Sequence, residues 1–183
     1  MPPGPGALLV HVEGDAGSAK EENDFPVATA WVQYRSTFFA KAIVEHLGSG
    51  HAFLRVDLMD VTPEVFRYYY LDCVCANNAK LETDQDLKSV DKDGYSETIS
   101  GRIMRKYCQG YMLAEKLGDC AAANMIMDAL INCSVVSKTL LSADLIAWIY
   151  DSRNEVFEGS SSVSNLRKLA VDMWAFAAKW DGK

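Results

Sequence analysis

Two kinds of hydrophobic spacing alternate along the first sixty residues. Apolar and polar residues alternate in 7–14 (ALLVHVEG), 25–29 (FPVAT) and 51–58 (HAFLRVDL), which predicts three strands that each bury one face. The polar residues 14–24 predict a turn, so we expect the first two strands to form a hairpin. After the second strand, apolar residues at helical spacing predict a helix from about Ala30 to Leu47, which the glycines at 48–50 end.

The next helix has a clear start signal. Thr62 is suited to cap it, with Pro63 in its first turn and Glu64 where the helix dipole favours an acid. Its expected apolar stripe is Val65, Phe66, Tyr69 and Cys73. Residues 77–102 are rich in charge and poor in large apolar side chains, which predicts a long solvated loop.

The remainder of the chain is predicted to be helical. One helix ends at Gly118, and Asp119 caps the next one. The apolar stripe of the first of these helices is Met104, Tyr107, Tyr111 and Ala114. Two more helices are expected at about 142–152 and 164–180. The order of elements predicts an α+β fold, with a small three-stranded sheet and a larger set of helices.

Composition and charge limit the possible partners. The 183 residues are 49% hydrophobic, which suits one domain with appended helices, and the net charge of −7 would repel nucleic acid and anionic lipid. The apolar runs at 7–10 and 145–150 are far shorter than the roughly 18 residues of a membrane span. The N-terminus lacks signal-peptide features, and the 5 cysteines suit reduced core thiols. We therefore expect a cytoplasmic or nuclear protein, with no nucleic-acid or membrane partner.

The segment 89–100 partly resembles a calcium-binding loop. Asp91, Asp93 and Gly94 occupy the third, fifth and sixth positions of such a loop. The first and twelfth positions are Ser89 and Ser100, so two of the strongest carboxylate ligands are missing. A polar turn is favoured, and a metal or small-molecule site in the acidic loop 84–97 is kept as an alternative function.

No residue pattern points to catalysis. Cys73 and Cys75 form a single C-x-C pair with no histidine nearby in sequence, whereas zinc sites use two ligand pairs at set spacing. The chain has neither a G-x-S-x-G nucleophile motif nor a G-x-x-x-x-G-K-[ST] phosphate loop. We predict that the protein is not an enzyme, and we assign no catalytic, cofactor-binding or metal residues.

Aromatic residues supply the candidate partner contacts. Trp31, Trp148 and Trp174 fit apolar stripes and are expected in the core, whereas Trp180, near the end of the chain, is a candidate anchor for a partner. The consecutive tyrosines at 68–70 are not all expected to face inward on one helix. We therefore propose Tyr68, Tyr70 and Trp180 as possible partner-contact residues.

Four sequence stretches in order resemble the BTB (POZ) domain family. The family's opening pattern is a strand ending F-x-V followed by V-L-x-x-x-S-x-Y-F, and the residues at matching places are Phe25, Val27, Val32, Ser36, Phe38 and Phe39. The stretches 56–70, 111–119 and 124–130 resemble later helices of the family. The resemblance covers 7–135, with 77–102 as an insertion. The helical extension at 136–183 is similar to that of filamentous-fungal members.

The resemblance implies a fold and a function. The fold would be a small three-stranded sheet that caps a cluster of short helices, with Phe38 and Phe39 beneath the cap. The function would be non-catalytic protein–protein interaction. The partner would be a second copy of the chain or another protein. The alternative is a substrate adaptor for a cullin-type ubiquitin ligase, which would contact the cullin through the third helix and the following loop.

The chain also departs from the family pattern. Ala28 and Thr29 replace a His-Lys pair that lies in the dimer interface of many members, and 75–77 differ from the usual Tyr-Thr-Gly. The first predicted strand lies close to Met1, which leaves no room for the segment that long-form members exchange. We therefore do not expect a swapped dimer.

Overall fold

The computed structural model describes residues 6–12, 23–49, 54–59, 61–79, 99–138, 140–151 and 165–180, and they form an α+β fold. The strands are β1 (Ala7–Val12), β2 (Asp24–Ala28) and β3 (Arg55–Leu58). The helices of the first half are α1 (Thr29–Val32), α2 (Thr37–Ser49), α3 (Pro63–Arg67) and a π-helix (Tyr68–Cys75). The later helices are α4 (Ile99–Lys116), α5 (Cys120–Ser137), α6 (Ala143–Tyr150) and α7 (Asn165–Trp180).

The three predicted strands form one sheet in the order β2-β1-β3. β1 pairs with β2 in an antiparallel hairpin, as predicted, with Ala7 opposite Ala28. β3 lies parallel to β1, with Leu9 opposite Arg55. One face of the sheet is buried against the helices by Leu8, Val10, Val12, Val27, Val56 and Leu58. The alternation in the sequence thus identified the buried face correctly.

The helix predicted from Ala30 to Leu47 is instead two helices separated by a turn. Ser36 accounts for the break, because its hydroxyl accepts a hydrogen bond from Phe39 N (3.1 Å) and so caps the start of α2. The same hydroxyl donates to the carbonyl of Leu117 at 2.5 Å. A buried serine that caps α2 and contacts the residue after α4 fixes the turn between α1 and α2.

The tyrosines at 68–70 are all buried, so the expectation that they would not all face inward is wrong. The predicted cap is confirmed, since Thr62 Oγ1 accepts from Val65 N. The helix then widens into a π-helix, which has i→i+5 hydrogen bonds instead of the i→i+4 bonds of an α-helix. Other parts of the fold surround this segment, so helical spacing does not decide which of its side chains are exposed.

The predicted loop at 77–102 is too long at its C-terminal end, because α4 begins at Ile99. Its central part, 80–98, lies outside the described residues, together with the calcium-like and acidic segments. The junction after α4 follows the prediction, with Gly118 at a φ of +64° and Asp119 as the cap of α5. Hydrogen bonding to the Asp119 carboxylate holds the first turn of α5, since Oδ1 accepts from Ala122 N at 2.9 Å.

The two C-terminal helices lie where they were predicted. Leu145, Ile149, Leu166 and Ala170 belong to the same buried cluster as the sheet and the earlier helices. The indole of Trp174 donates to the carbonyl of Leu141 at 3.2 Å. The extension therefore adds to the main core.

Several aromatic residues predicted in the core are exposed. Trp31 and Trp174 have exposed fractions of 50% and 46%, so that prediction is wrong for both, whereas Trp148 packs partly buried against the core. Both Phe38 and Phe39 were expected to be buried anchors, and Phe39 is completely buried whereas Phe38 is 37% exposed. The helices that carry these rings bury only one side.

The helix α5 meets the length and composition criteria for a membrane span, although the apolar runs alone did not suggest one. Core helices of soluble proteins meet the same criteria, so this is weak evidence for a membrane location.

Candidate interaction surface

A buried ion pair holds the turn between α1 and α2. Arg35 Nε donates to Asp119 Oδ2 at 3.2 Å, and Arg35 Nη1 donates to the carbonyl of Cys73 at 3.2 Å. Asp119 is completely buried, and its Oδ2 also accepts the hydroxyl hydrogen of Tyr69 at 3.1 Å. The turn is thereby tied to both the π-helix and the junction between α4 and α5.

The start of α2 is attached to the same junction. Phe38 N donates to the carbonyl of Leu117 at 3.2 Å, beside the contact that Ser36 makes with this carbonyl. A side chain at Gly118 would collide with Thr37 Oγ1, so the glycine permits this close approach as well as the positive φ. These contacts fix the backbone from Arg35 to Phe38 on the body of the protein.

On this fixed backbone, α1, the turn and α2 present large hydrophobic side chains to solvent. We call this the α1–α2 surface and define it by Trp31 (50% exposed), Tyr34 (86%), Phe38 (37%), Val44 (69%) and Leu47 (77%). Helical spacing places Phe38 on one flank of the exposed face of α2, and Val44 and Leu47 on the other.

The charges on this face of α2 balance each other. Lys41 and Glu45 lie between the apolar flanks, with 3.9 Å between Nζ and Oε1. Both side chains are largely exposed, so the pair contributes little to stability. The face is therefore locally neutral, in a chain whose net charge is −7.

Two of the three partner-contact residues predicted from the sequence, Tyr68 and Tyr70, are buried and do not lie on this surface. Tyr68 is 1% exposed and donates to the carbonyl of Ala79 at 2.9 Å, whereas Tyr70 is 8% exposed and its hydroxyl accepts from Ala28 N at 3.0 Å. Trp180 is the last residue of α7, and its side chain lies outside the described residues. Tyr68 and Tyr70 tie the π-helix to its neighbours.

Sequence reasoning missed the α1–α2 surface because it treated 30–47 as one helix with one buried stripe. In the structure α1 has four residues and buries only Val32, so Trp31 is left half exposed. Tyr34 lies in the turn and points away from the core. The usable signal was Ser36, a residue type that favours helix starts and so marks a break.

The buried thiols and hydroxyls remain protonated at neutral pH. Burial raises the pKa of the Cys73 and Cys108 thiols to about 12, and burial also raises the pKa of the Tyr68 and Tyr69 hydroxyls. In the fold these side chains pack as uncharged core residues, and the Tyr68 and Tyr69 hydroxyls donate hydrogen bonds. Within the part of the chain that the structure describes, no three His, Cys, Asp or Glu side chains lie close enough together to hold a metal ion.

Comparison of the chain with protein-family models, with curated proteins and with solved structures found no match in any of the three. The α+β architecture and the α1–α2 surface are therefore the basis for a functional proposal.

Proposed function

We propose that the protein is a non-catalytic interaction module that binds another protein through the α1–α2 surface. The observation that carries this proposal is the concentration of exposed aromatic and aliphatic side chains on one short stretch of chain. Isolated exposed apolar residues are common on soluble proteins, but clustered ones with Trp and Tyr are typical of interfaces. Exposed aromatic rings of this kind often supply a large share of binding energy.

The rigidity of the surface supports the same proposal. The Arg35–Asp119 pair and the Ser36 hydroxyl bonds hold the turn in place before any partner binds. A preorganised surface loses less conformational entropy on association than a mobile one. Most of the binding energy of the exposed rings would therefore be available for affinity.

A BTB-type fold is the more specific form of this proposal. Three residues of the opening motif, Val27, Ser36 and Phe39, are buried, which supports this form of the proposal. The three-stranded sheet packed on helices is compatible with that fold. A cytoplasmic or nuclear location belongs to the same proposal.

Self-association is the first partnership to test. Two copies of an acidic chain repel each other, and the locally neutral face around Lys41 and Glu45 reduces that repulsion. If two α2 helices meet antiparallel across a two-fold axis, Lys41 of one copy faces Glu45 of the other. The apolar flanks of the two helices would then meet on either side of these ion pairs.

The decisive experiment compares Leu47→Glu with Val135→Glu. Both side chains are highly exposed aliphatic residues, at 77% and 70%, but Val135 lies on α5 outside the α1–α2 surface. We expect light scattering after size exclusion to give a dimer mass for the wild type and for Val135→Glu, and 20.2 kDa for Leu47→Glu.

If the wild type is a monomer, the same variants serve as baits for partner capture from cells. Leu47→Glu should then lose partners that Val135→Glu retains. Retention of every wild-type partner or of the wild-type mass by Leu47→Glu would contradict the use of this surface.

A cullin-adaptor role is the second candidate, and the specific observation in its favour is Leu71. This side chain is 47% exposed on the π-helix, within the segment expected to contact a cullin. Co-elution with a cullin N-terminal domain at micromolar concentration, lost in Leu71→Glu, would support this role. Failure to co-elute would exclude it, and calcium titration tests the acidic loop 84–97 separately.

A further inference from the structure

The three-stranded sheet has two outer edges, and the edge at β2 is closed to a further strand. The bond from Thr29 N to the Gly6 carbonyl (2.9 Å) sets the hydrogen-bond alternation of the hairpin. The main-chain groups of Pro26 and Ala28 therefore point away from β1. Pro26 has no N–H to donate, and the N–H of Ala28 already donates to the Tyr70 hydroxyl at 3.0 Å. An incoming strand would find no free donor at these two positions.

The edge at β3 is open. Leu9 N donates to the carbonyl of Leu54 at 2.9 Å, and Leu9 lies opposite Arg55. In a parallel ladder this register turns the main-chain groups of Val56 toward β1 and those of Arg55 and Asp57 away from it. Within the part of the chain that the structure describes, the outward N–H and C=O groups of Arg55 and Asp57 have no hydrogen-bond partner. These main-chain groups can therefore pair with an added strand.

The side chains along this edge define the strand that would fit. Arg55 and Asp57 lie on the solvent face, 47% and 54% exposed, and Arg55 Nε donates to Asp57 Oδ1 at 2.8 Å. Val56, between them, faces the core and is 7% exposed. The ion pair leaves the edge without net charge, so the edge does not repel an incoming strand as a run of like charges would.

We propose that the β3 edge binds an extended segment of another protein as a fourth strand, antiparallel to β3. Main-chain hydrogen bonds would join the segment to Arg55 and Asp57. Charge complementarity places a basic residue opposite Asp57 and an acidic residue opposite Arg55, with an apolar residue opposite Val56. From its N-terminus, the segment therefore carries a basic, an apolar and an acidic residue in that order.

A second copy of the chain is the competing occupant, because β3 itself has the order Arg55, Val56, Asp57. A second copy would bring a folded body of net charge −7 to the edge, and the two copies would repel each other. An extended segment brings only its own few side chains. Electrostatics therefore favours the segment, and dilution distinguishes the two occupants.

The inference goes beyond the proposed function and does not depend on it. The residues of the β3 edge are separate from those that define the α1–α2 surface. Leu47→Glu leaves the β3 edge intact, whereas variants of Arg55 and Asp57 change β3 alone. Failure of one proposal is therefore distinguishable from failure of the other.

The first test titrates the full chain with the synthetic peptide acetyl-TKVET-amide and follows the backbone amides by nuclear magnetic resonance and hydrogen exchange. We expect the Arg55 and Asp57 amides to shift and to become protected from exchange, because each gains an acceptor. The control is the same peptide with N-methyl groups on its lysine and glutamate, which removes the two donors that would face β3. It should not bind.

A double variant tests the order of the charges. Arg55→Asp with Asp57→Arg keeps the ion pair and the composition but reverses the two charges along the edge. The wild type should bind acetyl-TKVET-amide about tenfold more tightly than acetyl-TEVKT-amide, since two cross-strand charge pairs attract in one case and repel in the other. The double variant should prefer the second peptide by a similar factor.

Four outcomes would overturn the proposal. The first is no shift of the Arg55 and Asp57 amides at millimolar peptide, and the second is equal binding of the N-methylated peptide, which would leave only charge attraction. The third is an unchanged peptide preference in the folded double variant. The fourth is a shift of these amides on tenfold dilution without peptide, which would assign the edge to a second copy. If the double variant does not fold, the N-methylated control on the wild type still decides.

Discussion

Substitution of Asp119 should destabilise the protein more than any exposed acidic residue, because one carboxylate serves three elements. It accepts hydrogen bonds from Arg35 Nε at 3.2 Å, from the Tyr69 hydroxyl at 3.1 Å and from the amide of Ala122 at 2.9 Å. Its side chain is completely buried, whereas the Arg35 side chain is 20% exposed. Asp119→Ala removes the cap of α5 and leaves a mostly buried guanidinium without its counter-ion.

The expected loss follows from these contacts. A lost helix cap costs about 1 kcal/mol, and removal of one partner from a buried ion pair costs roughly 3–5 kcal/mol. Arg35 keeps its bond to the Cys73 carbonyl and some contact with water, so the lower part of that range applies. We therefore expect Asp119→Ala to lower the free energy of unfolding by about 4 kcal/mol.

Urea unfolding followed by circular dichroism measures this loss, with Asp128→Ala as the control. Asp128 is an exposed carboxylate on the same helix, and its removal should change stability by less than about 0.5 kcal/mol. Asp119→Asn keeps a cap acceptor without the charge and should fall between the two. A loss below about 1 kcal/mol for Asp119→Ala would refute the reasoning, because it would leave only the cap contribution.

Four further changes test other parts of the fold. Gly110→Ala should lower stability by about 1–3 kcal/mol in urea unfolding, because the added Cβ would lie 2.6 Å from Cε1 of the buried Tyr68 ring. Lys138→Gly should raise the free energy of unfolding by about 0.5–1 kcal/mol, since this C-cap has a φ of 52°, which glycine adopts without strain. The free energy of unfolding should fall between about pH 9 and pH 12, because the unfolded chain loses the Cys108 thiol proton there and the folded chain keeps it. Cys108→Ala should make the free energy of unfolding less dependent on pH in this range. In thiol labelling of the folded protein followed by mass spectrometry, the exposed Cys120 should react first.

Each of these results has a contrary outcome. An unchanged unfolding midpoint in Gly110→Ala would mean that the Tyr68 ring does not pack on α4. A gain for Lys138→Ala equal to that for Lys138→Gly would show that helix propensity, and not the positive φ, decides stability there. An equal pH slope in Cys108→Ala, or labelling of Cys108 as fast as of Cys120, would show that this thiol is not buried.

Much of the fold could be predicted from local signals in the sequence. The alternation in β1 and β3 identified the buried face of the sheet, and Thr62, Gly118 and Asp119 marked helix ends through side-chain caps and a positive φ. These signals work because they depend on the residue itself and its near neighbours. The break at Ser36 was missed, since the apolar spacing continues across it.

The candidate surface could not be predicted in the same way. Whether Trp31 or Tyr68 is exposed depends on which elements pack around it. Apolar spacing favoured burial of Trp31 and helical facing favoured exposure of Tyr68, and the structure shows the opposite for both. The π-helix also changes the number of residues per turn, and a prediction of which side chains face the core depends on that number.

The sequence by itself therefore determined the order and kind of most elements, the acidic charge and the position of the helix caps. Only the tertiary structure decided that the tyrosines at 68–70 are interior and that the side chains of the α1–α2 surface are open to solvent. The physical reason is that caps and alternation are set by interactions over a few residues. Burial is set by contacts between distant parts of the chain, such as the bond between Arg35 and Asp119, 84 positions apart.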